Sequence, residues 1–330
     1  MNNALNNSEI LFIYEARLCN PNGDPDEENR PRIDIKTGRN LVSDLRLKRY
    51  FRDYVIGKFG EEYVWVSKVE GKHVSSDGRL EALKKQLKKE KNLEEELPKL
   101  CIDARLFGAT IPIRAEGARG ERGASKAFIG PVQFSWGYSF HKVEIVESST
   151  ITSTFVGRER RGGGEMEEAY GTMGKDWRLY YSLIGFYGVI SGRRARGTYM
   201  DENDVKILDN LLWKAVSLEP TTRSKIGENP HLYLRVEYKD ADTIIGDFRK
   251  YIKADTAEPV RDFSNVKLDF NGLIDKLSKN KESIAGIYLI SSEEMSNVRS
   301  LFETTFEDAV KSLPHPIDED KLKANLRKGM

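Results

Sequence analysis

Residues 9–18 read EILFIYEARL, and residues 41–59 read LVSDLRLKRYFRDYVIGKF. The first is a run of apolar, β-branched and aromatic residues of strand length, buried on at least one face. The second repeats apolar residues every three to four positions, with Ser43 and Asp44 near its start and Gly57 and Gly60 near its end, which predicts a helix. Between them Pro21, Gly23, Pro25, Pro31 and Gly38 mark a long loop over residues 20–40. Downstream, residues 61–100 form a largely helical, lysine- and glutamate-rich excursion, residues 101–108 a helix ended by Gly108, and residues 129–146 strand-like alternation. Residues 176–190 read as an aromatic strand. Residues 201–216 read as a helix capped by Asp201, with Leu208, Leu211, Leu212 and Val216 facing inward, and residues 232–238 as a strand. The tail adds a helix near residues 273–277, a strand at 284–290 and a helix at 293–313. The order strand, helix, strand, strand, helix, strand predicts an α+β fold of the split βαβ, ferredoxin-like kind.

The 330 residues are 39% apolar and 32% charged, which excludes a disordered chain, a collagen-like repeat and a disulfide scaffold. Cys19 and Cys101 are far apart, and neither has a partner at ligand spacing. That predicts a reducing compartment and no structural zinc. No apolar run reaches the length of a membrane span, and residues 1–9 (MNNALNNSE) lack the regions of a signal peptide; a soluble, cytoplasmic protein without membrane partners is expected. Formal charge is only +1, but residues 201–330 hold 20 Lys and Arg against 24 Asp and Glu, whereas residues 30–58 hold nine against three. Local basic charge of this kind suits a groove for an anion.

On a helix drawn at about 100° per residue, with Arg46 at zero, Lys48, Arg52 and Arg49 fall at about 200°, 240° and 300°. Leu47, Tyr50, Phe51, Tyr54 and Val55 fill the opposite side. The pattern predicts a core face and a nearly continuous cationic face. A phosphate backbone, an acidic subunit surface or plain solvent are its three possible neighbours. Arg158, Arg160 and Arg161, followed by Gly162–Gly164, read as a cationic loop able to wrap phosphates, with Met166 and Met173 as candidate wedges between bases. Arg114, Arg119, Arg122 and Lys126 read as a second such loop, and Arg193, Arg194 and Arg196 as a third; each could equally be an ordinary surface loop.

Catalytic constellations are sparse. His73, His141, His231 and His315 are scattered, and no phosphate-loop, dinucleotide, nucleophile-elbow or zinc-protease motif occurs. Residues 20–28 (NPNGDPDEE) cluster four carboxylates, so a divalent ion on Asp24 and Asp26 is conceivable, but the glycine is out of step with an EF-hand loop.

Residues 20–32 (NPNGDPDEENRPR), 41–52 (LVSDLRLKRYFR), 103–109 (DARLFGA), 130–134 (GPVQF) and 222–227 (TRSKIG) follow one another in order. Together they resemble the Cas-seven-type backbone subunit of type I CRISPR interference complexes (Cascade), in its I-B and I-C branch. The resemblance implies an RRM-like palm over residues 1–60, 101–155 and 176–240. It also implies inserted helical fingers at 61–100, a thumb β-hairpin at 156–175 and a C-terminal α/β extension at 241–330. It further implies an antiviral-defence protein that stacks head to tail on CRISPR RNA (crRNA) and presents it to target DNA. Its companions would be Cascade subunits of the Cas-five, Cas-six and Cas-eight types. Such a protein needs no cofactor or metal and is not an enzyme.

The RNA-binding residues implied are Arg32, Ser43, Arg46, Lys48, Arg49 and Arg52, with Gly108 and Ala109 allowing close approach and Arg158, Arg160, Arg161 and Met166 in the thumb. Type III relatives cleave target RNA through a loop aspartate, which makes a metal-dependent RNase acting through Asp24, Asp26 or Asp34 the competing expectation. A structural assembly protein that binds no RNA is the other.

Overall fold

The strand Ser8–Cys19 hydrogen-bonds along both edges, antiparallel to Leu179–Ile190 on one side and to Glu228–Tyr238 on the other. Its alternate residues enter two different cores. Ile10, Phe12, Tyr14 and Ala16 join one, and Leu11 and Ile13 join the other. A strand covered on both faces has no polar side to show, which is why residues 10–14 are apolar without a break. The buried Glu9 beside them is met by the hydroxyls of Tyr187 and Tyr238 and the N–H groups of Ile245 and Gly246. The computed structural model describes residues 5–87, 93–113, 124–147, 150–156, 171–218 and 223–328.

The sheet runs in the order Val310–Ser312, Ile284–Ser291, Glu228–Tyr238, Ser8–Cys19, Leu179–Ile190, Gly137–Lys142 and Arg39–Val42, with Val132–Phe134 also pairing to Leu179–Ile190. The helices Asp44–Phe59 and Glu202–Leu218 close the first face, with Leu47, Phe51, Leu208 and Leu212 fully buried. Asp201 caps the second helix by accepting from the backbone N–H of Asn203 at 3.0 Å and of Asp204 at 3.2 Å. The other face is filled from the C-terminal third, by Phe248, Ile252, Phe270, Leu273 and Phe302. Each side chain of this size, fully buried, contributes roughly 1.5–3 kcal/mol.

The insertion carries its own small core. Helices Ser76–Leu87 and Leu93–Leu100 enclose Leu80, Leu83, Leu93 and Leu97 together with Trp65 and Ile111. Two hairpins leave the sheet, Gly108–Ile113 with Ala124–Ile129 and Thr150–Val156 with Gly171–Lys175. Arg114, Arg119 and Arg122, and Arg158, Arg160, Arg161 and Met166, lie outside the described residues.

Three expectations are corrected. Lys126 stands on the strand Ala124–Ile129, paired to Glu95 at 3.2 Å, and not in a loop. Arg193, Arg194 and Arg196 stand on a short helix, Gly192–Thr198, capped by the Ser191 hydroxyl, and not in a loop. The helix expected over residues 293–313 is Ser296–Phe306: Glu307 takes φ 45°, and Val310–Ser312 then adds to the sheet parallel to Ile284–Ser291. Among the described residues, no helix is long and apolar enough to cross a membrane.

Candidate nucleic-acid interface

The five sequence blocks that follow the first strand come together in one hydrogen-bonded network. Asn22 Oδ1 accepts from the backbone N–H of Ser43 at 2.8 Å, and the Ser43 hydroxyl in turn caps the helix Asp44–Phe59 by accepting from the N–H of Arg46 at 3.3 Å. Lys48 Nζ reaches Gln133 Oε1 at 3.2 Å, while Gln133 Nε2 donates to the carbonyls of Gly130 at 2.9 Å and Phe107 at 3.3 Å. Arg52 Nε donates to Asp103 Oδ2 at 2.8 Å. Asn20 closes the circuit: its N–H donates to the carbonyl of Ser224 at 2.8 Å, and its own carbonyl accepts from Lys225 Nζ. Gln133, Asn22 and Asp103 were not singled out from sequence, although each lies inside a quoted block.

This network corrects the expectation of a cationic face on the helix Asp44–Phe59. Lys48 is 6% exposed and paired to Asp44 at 2.9 Å; Arg52 is 8% exposed and paired to Asp103, which is fully buried. Arg46 lies over the Tyr50 ring, 3.9 Å from its centroid. Arg49 is the most open of the four and is paired to Asp53 at 2.5 Å. The side of the helix that carries Lys48 and Arg52 is turned against residues 103–107 and 133, so these two cations meet carboxylates and not solvent, whereas Arg49 stays partly open.

Gly108 has an internal reason, and Ala109 follows it in the strand, paired with Phe128 and packed against the insertion's core. Gly108 sits at φ +92°, and a Cβ there would lie 2.4 Å from the carbonyl oxygen of Phe128; one on Gly130 would meet the carbonyl carbon of Phe107 at 2.1 Å. The close approach is between two strands of this chain.

Three cations ahead of the helix are placed differently: Arg30 and Lys36 are exposed on the loop, and the half-buried Arg39 opens the strand Arg39–Val42. Arg30 stands over Trp177 at 5.4 Å and Arg39 over Tyr138 at 5.4 Å; neither they nor Lys36 has an ion pair among the described residues. Arg32 is held by Asp24 at 2.8 Å and lies 5.8 Å from Trp136, whose ring is 46% exposed above a cleft of about 450 Å³. The loop aspartates have separate structural partners. Asp24 holds Arg32 and the N–H of Asp26, and Asp34 accepts from Thr37 Oγ1 at 2.6 Å and the N–H of Lys36 at 3.1 Å. Those two bonds to Asp34 hold its carboxyl below the usual range. Among the described residues, no group of three or more His, Cys, Asp or Glu could hold a metal ion.

Beneath the loop, Glu228 is 3% exposed and accepts from the Tyr50 hydroxyl, with Lys225 and Arg46 close by. Burial pushes its carboxyl up to about 7 against the pull of those cations. Burial, reinforced by Arg46, brings Lys225 down to about 8.

A family model described as CRISPR-associated protein Cas7 matches residues 6–271. The chain belongs to the Cas7 family. It is 30% identical over 306 residues to the CRISPR-associated protein Cas7 of Haloferax volcanii, covering 87% of each chain. In shape it aligns with a chain of a solved assembly described as a CRISPR RNA-guided surveillance complex, pre-nicking, with TM-score 0.51 at 13% identity, covering 97% of this chain and 99% of that one. At that identity the likeness concerns the fold alone. All five converging blocks fall inside the span of the family match.

Proposed function

We propose that this chain is a guide-RNA-binding backbone subunit of a CRISPR surveillance complex, polymerising along crRNA and offering it to target DNA. The observation that carries the reading is the convergence of the five blocks, all within a Cas7 family match, on one loop-and-helix junction rimmed by Arg30, Lys36 and Arg39. In this reading strands Glu228–Tyr238, Ser8–Cys19, Leu179–Ile190 and Gly137–Lys142, with helices Asp44–Phe59 and Glu202–Leu218, are an RRM-like palm. Residues 61–100 with their separate core are fingers, the hairpin of Thr150–Val156 and Gly171–Lys175 is the stem of the thumb, and residues 241–330 are the extension.

RNA-recognition folds stack bases on the open face of their sheet. Here that face is filled by Phe248, Phe270 and Phe302. The guide is therefore held at the loop edge through its backbone, and sequence is left to base pairing. Lys48, Arg52 and Ser43 act as braces that position this edge. In this reading the protein holds RNA and does not cut it: Asp24 and Asp34 are committed to the loop's own contacts, which leaves Asp26, exposed on the turn, as the one loop aspartate for the RNase test.

The test is assembly with guides of two lengths. Mass measured by light scattering should rise stepwise with guide length. A single stoichiometry independent of RNA would instead favour an assembly protein without a guide, and evenly spaced cuts in complementary RNA with magnesium would favour an RNase.

A further inference from the structure

A second cleft, of about 220 Å³, opens where the helix Asp44–Phe59 meets the start of the insertion. Arg49, Lys68, His73 and Arg79 line it, with the hydroxyls of Ser67 and Ser75, and no carboxylate does. Two larger clefts among the described residues are electrically balanced. Asp24 and Glu27 offset Arg30 and Arg32 in one, and Asp255 and Asp269 offset Lys253 and Lys267 in the other.

Arg79 makes the difference consequential. It is 3% exposed, and its Nη2 donates to two neutral carbonyls, Glu61 at 2.6 Å and Val64 at 2.8 Å, while its buried Nε has no partner. A buried guanidinium without a counter-charge is costly, and one placed at the wall of a cleft is relieved by an anion in that cleft. Asp53 neutralises Arg49 from behind, and Asp103 is spent on Arg52 and on the N–H groups of Trp65 and Val66. Lys68 and His73 stand exposed at the rim with no ion pair among the described residues. The N-terminus of the helix Ser76–Leu87 borders the same space, but Ser75 Oγ accepts from its Gly78 N–H at 3.1 Å and Asp77 stands in its first turn, so the side-chain cations carry the site.

We propose that this cleft seats a phosphodiester of a nucleic-acid strand, with Arg79 as its buried counter-charge and Lys68 and His73 as its clamp. The strand is either the guide or the target; that part rests on the guide-binding reading, whereas the anion site does not.

The experiment uses the full chain and the double variant Lys68→Ala with His73→Ala, both positions exposed, with the thermal midpoint as a check of folding. One arm measures guide RNA binding to the free chain, and the other measures complementary DNA binding to the guide-loaded assembly, each over a range of salt. A loss of about threefold to tenfold in either arm, with a salt slope shallower by about one per lost contact, supports the site and identifies the strand. Unchanged binding in both arms overturns it. If the unmodified chain binds no RNA, the functional reading fails separately, and titration with inorganic phosphate at constant ionic strength decides the anion site. A saturable change in the His73 ring resonances sustains it, and none refutes it.

Discussion

The cations of residues 30–39 and those of the helix that follows are close in sequence and opposite in circumstance. Arg30 and Lys36 stand on the loop and Arg39 at the start of the strand Arg39–Val42, beside aromatic rings or in solvent, without carboxylate partners among the described residues. Lys48 and Arg52 are buried against Asp44 and Asp103. A cation there can be given to a phosphate at little cost, because it leaves only water or the face of an aromatic ring. Arg52 cannot, because withdrawing it strands a carboxylate of zero exposure. The loop's charges are available to grip, and the helix's charges hold the junction in shape.

The sharpest way to break this comparison is to remove Arg52. Arg52→Ala leaves Asp103 buried and uncompensated, for an expected loss of about 3–5 kcal/mol in urea unfolding. Arg30→Ala, by contrast, should stay within about 0.5 kcal/mol of the unmodified chain. A stable Arg52→Ala chain that had lost RNA binding would mean that the helix, and not the loop, meets the ligand.

Why the sequence misplaces these charges is instructive. A helical projection fixes the angle of Lys48 and Arg52 but says nothing of what lies opposite, and their partners Gln133 and Asp103 are 85 and 51 positions away. Local signals fared better. The Ser43 and Asp201 caps, the core faces of both helices and the order of elements along the chain needed only neighbouring residues. The covering of the sheet's second face was not legible, because residues such as Phe270 and Phe302 announce an amphipathic segment without naming its partner. The 293–313 helix was drawn too long for a related reason: the periodicity continues past Glu307, but the backbone there turns to positive φ and the chain is taken up by the sheet edge.

Glu228 sharpens the comparison from below, since the loop rests on its cluster through Lys225 and Asn20. Its carboxyl goes from the usual 4.5 up to about 7 in the fold. Between those values the folded chain holds a proton that the unfolded chain has lost, so stability falls as pH rises through this window. Below 4.5 both states are protonated, and above 7 both are ionised. Tyr14, Tyr50, Arg46 and Cys19 face the same carboxyl, and Lys225 begins to lose its proton only near 8. Comparing the two chains between pH 5 and pH 7.5 isolates Glu228, because the imidazole of His141, held below its usual value by burial, contributes alike to both. The unmodified chain should lose on the order of 2–3 kcal/mol more than Glu228→Gln between these points. Parallel pH profiles for the two chains would remove the buried carboxylate from the account of how the loop is held.

The smallest effect on the fold should accompany a clear effect on binding. Replacing Arg30, Lys36 and Arg39 together by alanine removes three charges that support no buried partner, so unfolding should shift by no more than a few tenths of a kcal/mol per site. If each charge neutralises one phosphate of single-stranded guide, the salt slope of RNA binding should become shallower by about 2. The two measurements discriminate because a structural role and a gripping role move them in opposite ways. A brace lost from the junction lowers stability and leaves the salt slope of the folded chain intact. A grip lost from the loop leaves stability intact and flattens the slope. Should the triple variant keep the slope of the unmodified chain, the phosphates are neutralised elsewhere, and Arg30 and Arg39 serve only the aromatic rings they cover.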